Sequence, residues 1–319
     1  MSIQQQELKE LASSLSKLAK SLSNSTDSMS SLHPKKETDK IQITWTKPIS
    51  KDKTALILDE EVPLIHEFVE NRDRYSNILP IVETAISPRV NANYVKTNPD
   101  QVQGAIAMQG PIPVLENMKE VWVMILSKTN PKVRYIFMLC DFFENKKEKC
   151  AFYFPTKQHE TIFFDNISVT NDFTIHEHNI DFRTLIVNDG KNSHTFMHAH
   201  YQGWPDFGVP ESIADLLTLI KMTRHVPLAS ICVHCSAGIG RTGVFFLTLH
   251  VWNTIENHYE QNLTTPIDFN FQEIILFLRQ QRVGMIQTNE QLDFVINNID
   301  IIHEEVRQFI KTQNNCEDI

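Results

Sequence analysis

A chain of 319 residues, 41% hydrophobic and 22% charged, has ordinary globular composition and can bury a core without disulfide or metal staples. Its net charge of −9 excludes a dedicated nucleic-acid binder, which would carry surplus Lys and Arg, and any attraction for an anion must be local. The five scattered cysteines (Cys140, Cys150, Cys232, Cys235 and Cys316) read as no disulfide framework, and no apolar run suits a signal peptide or a membrane span. The expected location is the cytoplasm, with export as an effector into a host cell's cytosol as the alternative.

Residues 1–55 differ from the rest. Leu8, Leu11, Leu15, Leu18 and Leu22 recur at the spacing of an amphipathic helix, and a Ser/Asn-rich linker follows from Ser21 to Ser31. A helix through residues 5–23 either caps the domain or binds a partner or a second copy. Residues 56–312 form the expected main domain, and 313–319 a tail. Within it the spacing predicts a helix over Val62 to Tyr75. Strands are predicted over Ala105–Met108, Tyr135–Leu139, Cys150–Tyr153, Thr161–Phe164, Thr195–Tyr201 and Ser230–Val233. Further helices are predicted over Ile213–Arg224, Val244–Tyr259, Phe271–Gln281 and Glu290–Lys311. The sum is a mixed α/β (α+β) domain with helices on both sides of a sheet.

One segment carries chemistry. Between the predicted buried strand at 230–233 and the long helix at 244 lies His234-Cys235-Ser236-Ala237-Gly238-Ile239-Gly240-Arg241-Thr242-Gly243. Its glycines let successive N–H groups turn inward, and such a nest at a helix N-terminus binds anions. Cys235 and Arg241 are spaced so that one loop sets a sulfur beneath a phosphate and a forked guanidinium beside it. The same nest lowers a thiol's pKa, making Cys235 a nucleophile at neutral pH, with Thr242 able to donate its hydroxyl to the sulfur. Reversible oxidation of Cys235 is expected if that thiolate is exposed. Competing readings are a redox pair, Cys232-x-x-Cys235, and a buried cysteine before an ordinary glycine turn. His194, His198 and His200 also form a cluster that could hold a metal.

This loop resembles the phosphate loop of the phosphotyrosine-specific protein-tyrosine phosphatases at every position. Trp204-Pro205-Asp206-Phe207-Gly208-Val209-Pro210 is similar to that family's mobile acid loop, and Arg74-Tyr75-Ser76-Asn77-Ile78-Leu79-Pro80 to its phosphotyrosine-recognition loop. Asn91-Ala92-Asn93-Tyr94-Val95 and Gln109-Gly110-Pro111 resemble core motifs. Glu144 with Lys149-Cys150 resembles the loop that braces the site, and Gln287-Thr288-Asn289-Glu290-Gln291 the glutamine loop. The resemblance covers roughly residues 58–310.

It implies a highly twisted mixed sheet flanked by helices and a metal-independent phosphotyrosine hydrolase working through a cysteinyl-phosphate intermediate, with no cofactor. Phosphotyrosine-containing proteins would be its partners. The implied roles are Cys235 as nucleophile, Arg241 as phosphate clamp and Asp206 as general acid. Gln287, assisted by Gln291, would hold the hydrolytic water. Ser236, Ala237, Gly238, Ile239 and Gly240 would cradle the phosphate. Tyr75 would wall a slot too deep for phosphoserine, and Asn77 would bond the peptide backbone. His234, Trp204, Glu144 and Lys149 would support, with Glu144 pairing Arg241 and Lys149 holding Asp206. The resemblance also gives His198 and His200 a place in a core strand. Phe154 stands where the family has Trp, and Ile81-Val82 where it has Tyr-Asp. These changes touch packing and peptide preference. The other readings are a phosphotyrosine-binding pseudoenzyme and a phosphoinositide or phosphoserine phosphatase. The intact set of residues argues against the first, and Tyr75 against the second.

Overall fold

The computed structural model describes residues 41–317 apart from 62, 128–131 and 207, with side chains to residue 313. Contacts divide the chain into two units, residues 1–42 and 43–319. The leucine-patterned segment at residues 5–23 lies outside the described residues. Within the described residues, no helix is long and apolar enough to cross a membrane.

The second unit is built on a nine-stranded mixed sheet. In chain order its strands are β2 (Ala85–Ser87), β3 (Val90–Val95), β4 (Ala105–Met108), β5 (Tyr135–Met138), β8 (Thr161–Phe164), β9 (Ile167–Glu177), β10 (Ile180–Asn188), β11 (Ser193–Tyr201) and β12 (Ile231–His234). Across the sheet the order is β2-β3-β4-β12-β5-β11-β10-β9-β8. β12 is central, parallel to both neighbours, with Val233 in register with Ala107 and Phe137. The helices α1 (Leu115–Leu126), α2 (Ala214–Thr223), α3 (Gly240–Glu260), α4 (Phe271–Arg279), α5 (Asn289–Asn297) and α6 (Ile299–Glu317) flank it. A hairpin of β6 (Phe143–Glu144) and β7 (Lys147–Glu148) stands apart, as does a pair in which β1 (Ile43–Thr46) runs parallel to β13 (Ile267–Asn270). Residues 43–46, assigned from sequence to the N-terminal region, therefore belong to the main unit.

β12 carries no charged side chain, and all four residues are buried. The chain leaves its carboxyl end, turns through residues 235–239 and enters α3. That is where open α/β sheets place ligands. α3 is buried along most of its length and contacts α2, α4, α5 and α6. It thus anchors the loop to α2, α4, α5 and α6.

Three predicted elements differ. Residues 63–75 form no helix. Ile65 bridges Ile81, His66 N–H donates to Pro80 O (2.9 Å), and Val82 N–H donates to Leu64 O (2.9 Å). Buried Asp73 decides this: its carboxylate takes bonds from Val69 N–H, the Arg72 guanidinium and Asn91 Nδ2, while Asn71 turns left-handed (φ 62°). Cys150–Tyr153 lies outside the ladders, because Ala151 N–H donates to Pro111 O (2.8 Å) and Tyr153 O accepts from Trp122 Nε1 (2.8 Å). The helix expected over Glu290–Lys311 is two, α5 and α6. It breaks at Asn298, whose side-chain amide donates to Phe294 O (2.7 Å) in competition with the backbone.

Phe245, fully buried one turn into α3, packs on Phe137 of the central sheet with ring centroids 5.6 Å apart. Phe245→Ala should lower unfolding free energy by about 3–5 kcal/mol in urea titration at unchanged m-value. A loss under 1 kcal/mol would show that this contact does not hold the helix to the sheet.

Candidate active site

The turn after β12 has a shape only glycine allows at one point. Gly238 sits at φ 72°, and a Cβ there would collide with Met108 O. Its N–H points back to Cys235 Sγ (3.2 Å). Gly240 opens α3, where a Cβ would run into the Gln287 and Gln291 amides. Burial pushes the Cys235 thiol up. The Arg241 charge and the N–H groups of Thr242 and Gly238 outweigh it, so the thiol lies below its ordinary value. Cys235 is only 3% exposed, on the floor of a cleft of about 720 Å³ and not on an open surface as the oxidation argument assumed. By contrast, burial alone pushes Cys232 up to about 12, so it would make a poor thiolate partner for Cys235 in a redox pair.

Arg241 is fixed before any anion arrives. It is 2% exposed and gives Nη1 to Glu144 Oε1 (2.5 Å) and Trp204 O (2.8 Å), and Nη2 to Glu144 Oε2 (3.3 Å) and Asp206 Oδ1 (3.3 Å). Burial opposes its charge, but Cys235 and Glu144 hold it firmly protonated. The second Asp206 oxygen pairs with Lys149. Burial would weaken the Lys149 charge, and Asp206 more than restores it. Trp204 closes the acid loop on itself, its Nε1 donating to Gly208 O (3.1 Å).

The remaining walls come from distant segments. Tyr75 OH and Ser236 Oγ share a hydrogen bond (2.8 Å), tying the recognition loop to the phosphate loop. Asn77 is exposed at the mouth. Ile286 takes φ 62°, strained for a β-branched residue, held by its N–H to Ile239 O (3.0 Å) and its carbonyl to Arg279 Nη2 (2.8 Å). That strain aims Gln287 into the cleft. Gln291 Oε1 accepts from Gln287 N–H (2.9 Å), and its Nε2 is buried with no partner among the described residues.

Of the residues predicted from sequence, the cleft gathers Tyr75, Asn77, Glu144, Lys149, Asp206, Cys235, Ser236, Ala237, Arg241, Gln287 and Gln291. Gly238, Ile239, Gly240, Thr242, Trp204 and His234 lie behind them. His234 Nε2 meets Tyr153 OH (2.7 Å) and its Nδ1 the Cys235 carbonyl (3.3 Å), while burial lowers it to about 3. It therefore stays neutral and holds the loop backbone. His198 shares Tyr153 OH (2.9 Å), and His200 Nε2 donates to Cys140 O (2.9 Å), so these ring nitrogens serve the core.

Two braces escaped the sequence reading. Arg282, fully buried, gives Nε to Gly238 O (2.7 Å) and Nη2 to Ala237 O (3.0 Å). Asn91 and Asn93 hold its other donor positions. Burial brings its guanidinium down to about 10 against the charges of Cys235 and Asp73. Arg74 links the recognition loop to Gly110 O (3.2 Å), Pro111 O (2.6 Å) and Glu148. The signal for Arg282 was present in Asn91-x-Asn93, two amides on one face of a buried strand that need a polar partner.

A family model described as protein-tyrosine phosphatase matches residues 70–300. The rat tyrosine-protein phosphatase non-receptor type 20 is 32% identical over 273 residues, covering 75% of this chain and 61% of that protein. The Arabidopsis thaliana protein-tyrosine-phosphatase PTP1 is 30% identical over 263 residues, covering 77% and 74%. A solved structure of PTPN18, studied for its fingerprint on HER2 tyrosine phosphorylation sites, matches with a TM-score of 0.63 and 28% identity over 72% of this chain and 83% of that one. The chain spans only 61% and 59% of the rat and mouse non-receptor type 20 proteins.

Iodoacetate at neutral pH should label Cys235 well ahead of Cys140, Cys150 and Cys232, and inorganic phosphate should slow that labelling. Peptide mass spectrometry showing Cys232 modified as fast would contradict the lowered thiol.

Proposed function

This chain belongs to the protein-tyrosine phosphatase family, and we propose that it hydrolyses phosphotyrosine in proteins through a cysteinyl-phosphate intermediate. The thiolate of Cys235 attacks phosphorus. An S–P bond forms as the bond from phosphorus to the tyrosyl oxygen breaks, and Asp206, protonated on substrate binding as the phosphate takes its place on Arg241, gives that proton to the departing phenolate. The Arg241 fork and the loop amides take up the charge on the equatorial oxygens. In the second step Asp206, now a carboxylate, accepts a proton from a water held by Gln287 and Gln291. That water's oxygen bonds phosphorus, the S–P bond breaks, and inorganic phosphate leaves with the sulfur again a thiolate stabilised by Thr242.

Nucleophile, proton carrier and charge clamp all come from the chain, so the reaction calls on no metal or cofactor. One observation carries this reading: a lowered thiol, a pre-anchored guanidinium and a carboxylate bound to that guanidinium share one cleft. Tyr75 at the cleft wall supports an aromatic substrate over phosphoserine. PTPN18, a relative solved with HER2 phosphopeptides, supports phosphoproteins as the substrate class. The scattered thiols support a reducing, cytoplasmic setting.

With an aryl phosphate and a chelator present, wild type should turn over and Cys235→Ser should not. Asp206→Asn should lose roughly 10²–10⁴-fold in kcat. A phosphoserine peptide should be refused. Binding of phosphotyrosine peptide with no turnover by the reduced wild type would make the chain a capture module instead.

A further inference from the structure

The cleft mouth carries one charged side chain that its own surroundings leave uncommitted. Arg241 is spent on Glu144 and Asp206, Lys149 on Asp206, and Arg74 on Glu148. Lys147 lines the same cleft, is exposed, and has no ion pair among the described residues. Its placement follows from the hairpin. Asn145 and Lys146 both take positive φ (50° and 64°), making the two-residue turn that returns β7 beside β6. Lys147 pairs directly with Glu144, and cross-strand partners share a face of the ribbon. The side chain that clamps Arg241 therefore fixes the side from which Lys147 projects.

Asn77 and Gln287, both uncharged, line the same cleft. A protein of net charge −9 repels an acidic peptide at long range, so a free cation at the mouth decides which sequences approach.

We propose that Lys147 is a specificity-determining residue that favours phosphotyrosine peptides with a carboxylate side chain close to the phosphotyrosine. The assignment rests on the phosphatase reading above. Because the pair it forms is exposed, its effect is modest and screened by salt.

The test uses the full chain and two phosphotyrosine peptides identical but for Glu or Lys on either side of the phosphotyrosine, with a small aryl phosphate as reference. At low ionic strength wild type should favour the Glu peptide in kcat/KM by roughly two- to five-fold, the range of an exposed ion pair. High salt should shrink that ratio. Lys147→Glu should invert it after each rate is divided by the same variant's rate on the aryl phosphate, so that a general loss cancels. Equal rates on both peptides, or a ratio that survives in Lys147→Glu, would overturn the assignment and leave the phosphatase reading intact. No hydrolysis of any of the three substrates by wild type would remove both.

Discussion

The structure depends on the attraction between the buried Cys235 sulfur and the buried Arg241 guanidinium at the start of α3. Neither charge is tolerable alone at 2–3% exposure. Arg241 and the turned amides bring the Cys235 thiol below its ordinary value against the cost of burial, and Cys235 in turn favours the charge on Arg241. Six positions separate them in sequence, so the pair forms only if the chain turns sharply between β12 and α3. Gly238 makes that turn, in a conformation and a space that a Cβ would forbid.

Around this pair the fold arranges a second ring of charges. Arg282 grips the outside of the loop through two carbonyl oxygens and is balanced by Cys235 and Asp73. Asp73 in turn is tied to Arg72 and Asn91, whose strand also presents Asn93 to Arg282. The recognition loop and the phosphate loop are thus two faces of one buried polar network. Such a network is costly if half made and rigid if complete. Asp206 joins this base through ion pairs to Lys149 and Arg241, on a segment closed by the Trp204 Nε1 bond to Gly208 O.

The loop itself was legible in the sequence because its chemistry requires fixed residues at fixed spacing within one turn. The acid, recognition and glutamine loops were legible only through resemblance, since the cleft joins them across long stretches of chain. Asn91-x-Asn93 signalled a buried polar partner but not which one, and the loop carbonyls that Arg282 braces lie 44 and 45 residues from it. The long strand β10 was missed because it is buried on both faces, so its side chains do not alternate. The apolar spacing of residues 62–75 pointed to a helix that the buried Asp73 network forbids. At residues 62–75 a distant polar contact overrode a local pattern.

The central claim is that the thiol of residue 235 ionises at lower pH than an ordinary cysteine. Thiolate ultraviolet absorbance, measured against pH as the difference between wild type and Cys235→Ser, reads that ionisation directly. A lowered pKa moves the rise in thiolate to lower pH. The account predicts a midpoint clearly below the ordinary thiol value of about 8.5, moving upward in Arg241→Met. A wild-type midpoint at or above that value would contradict it.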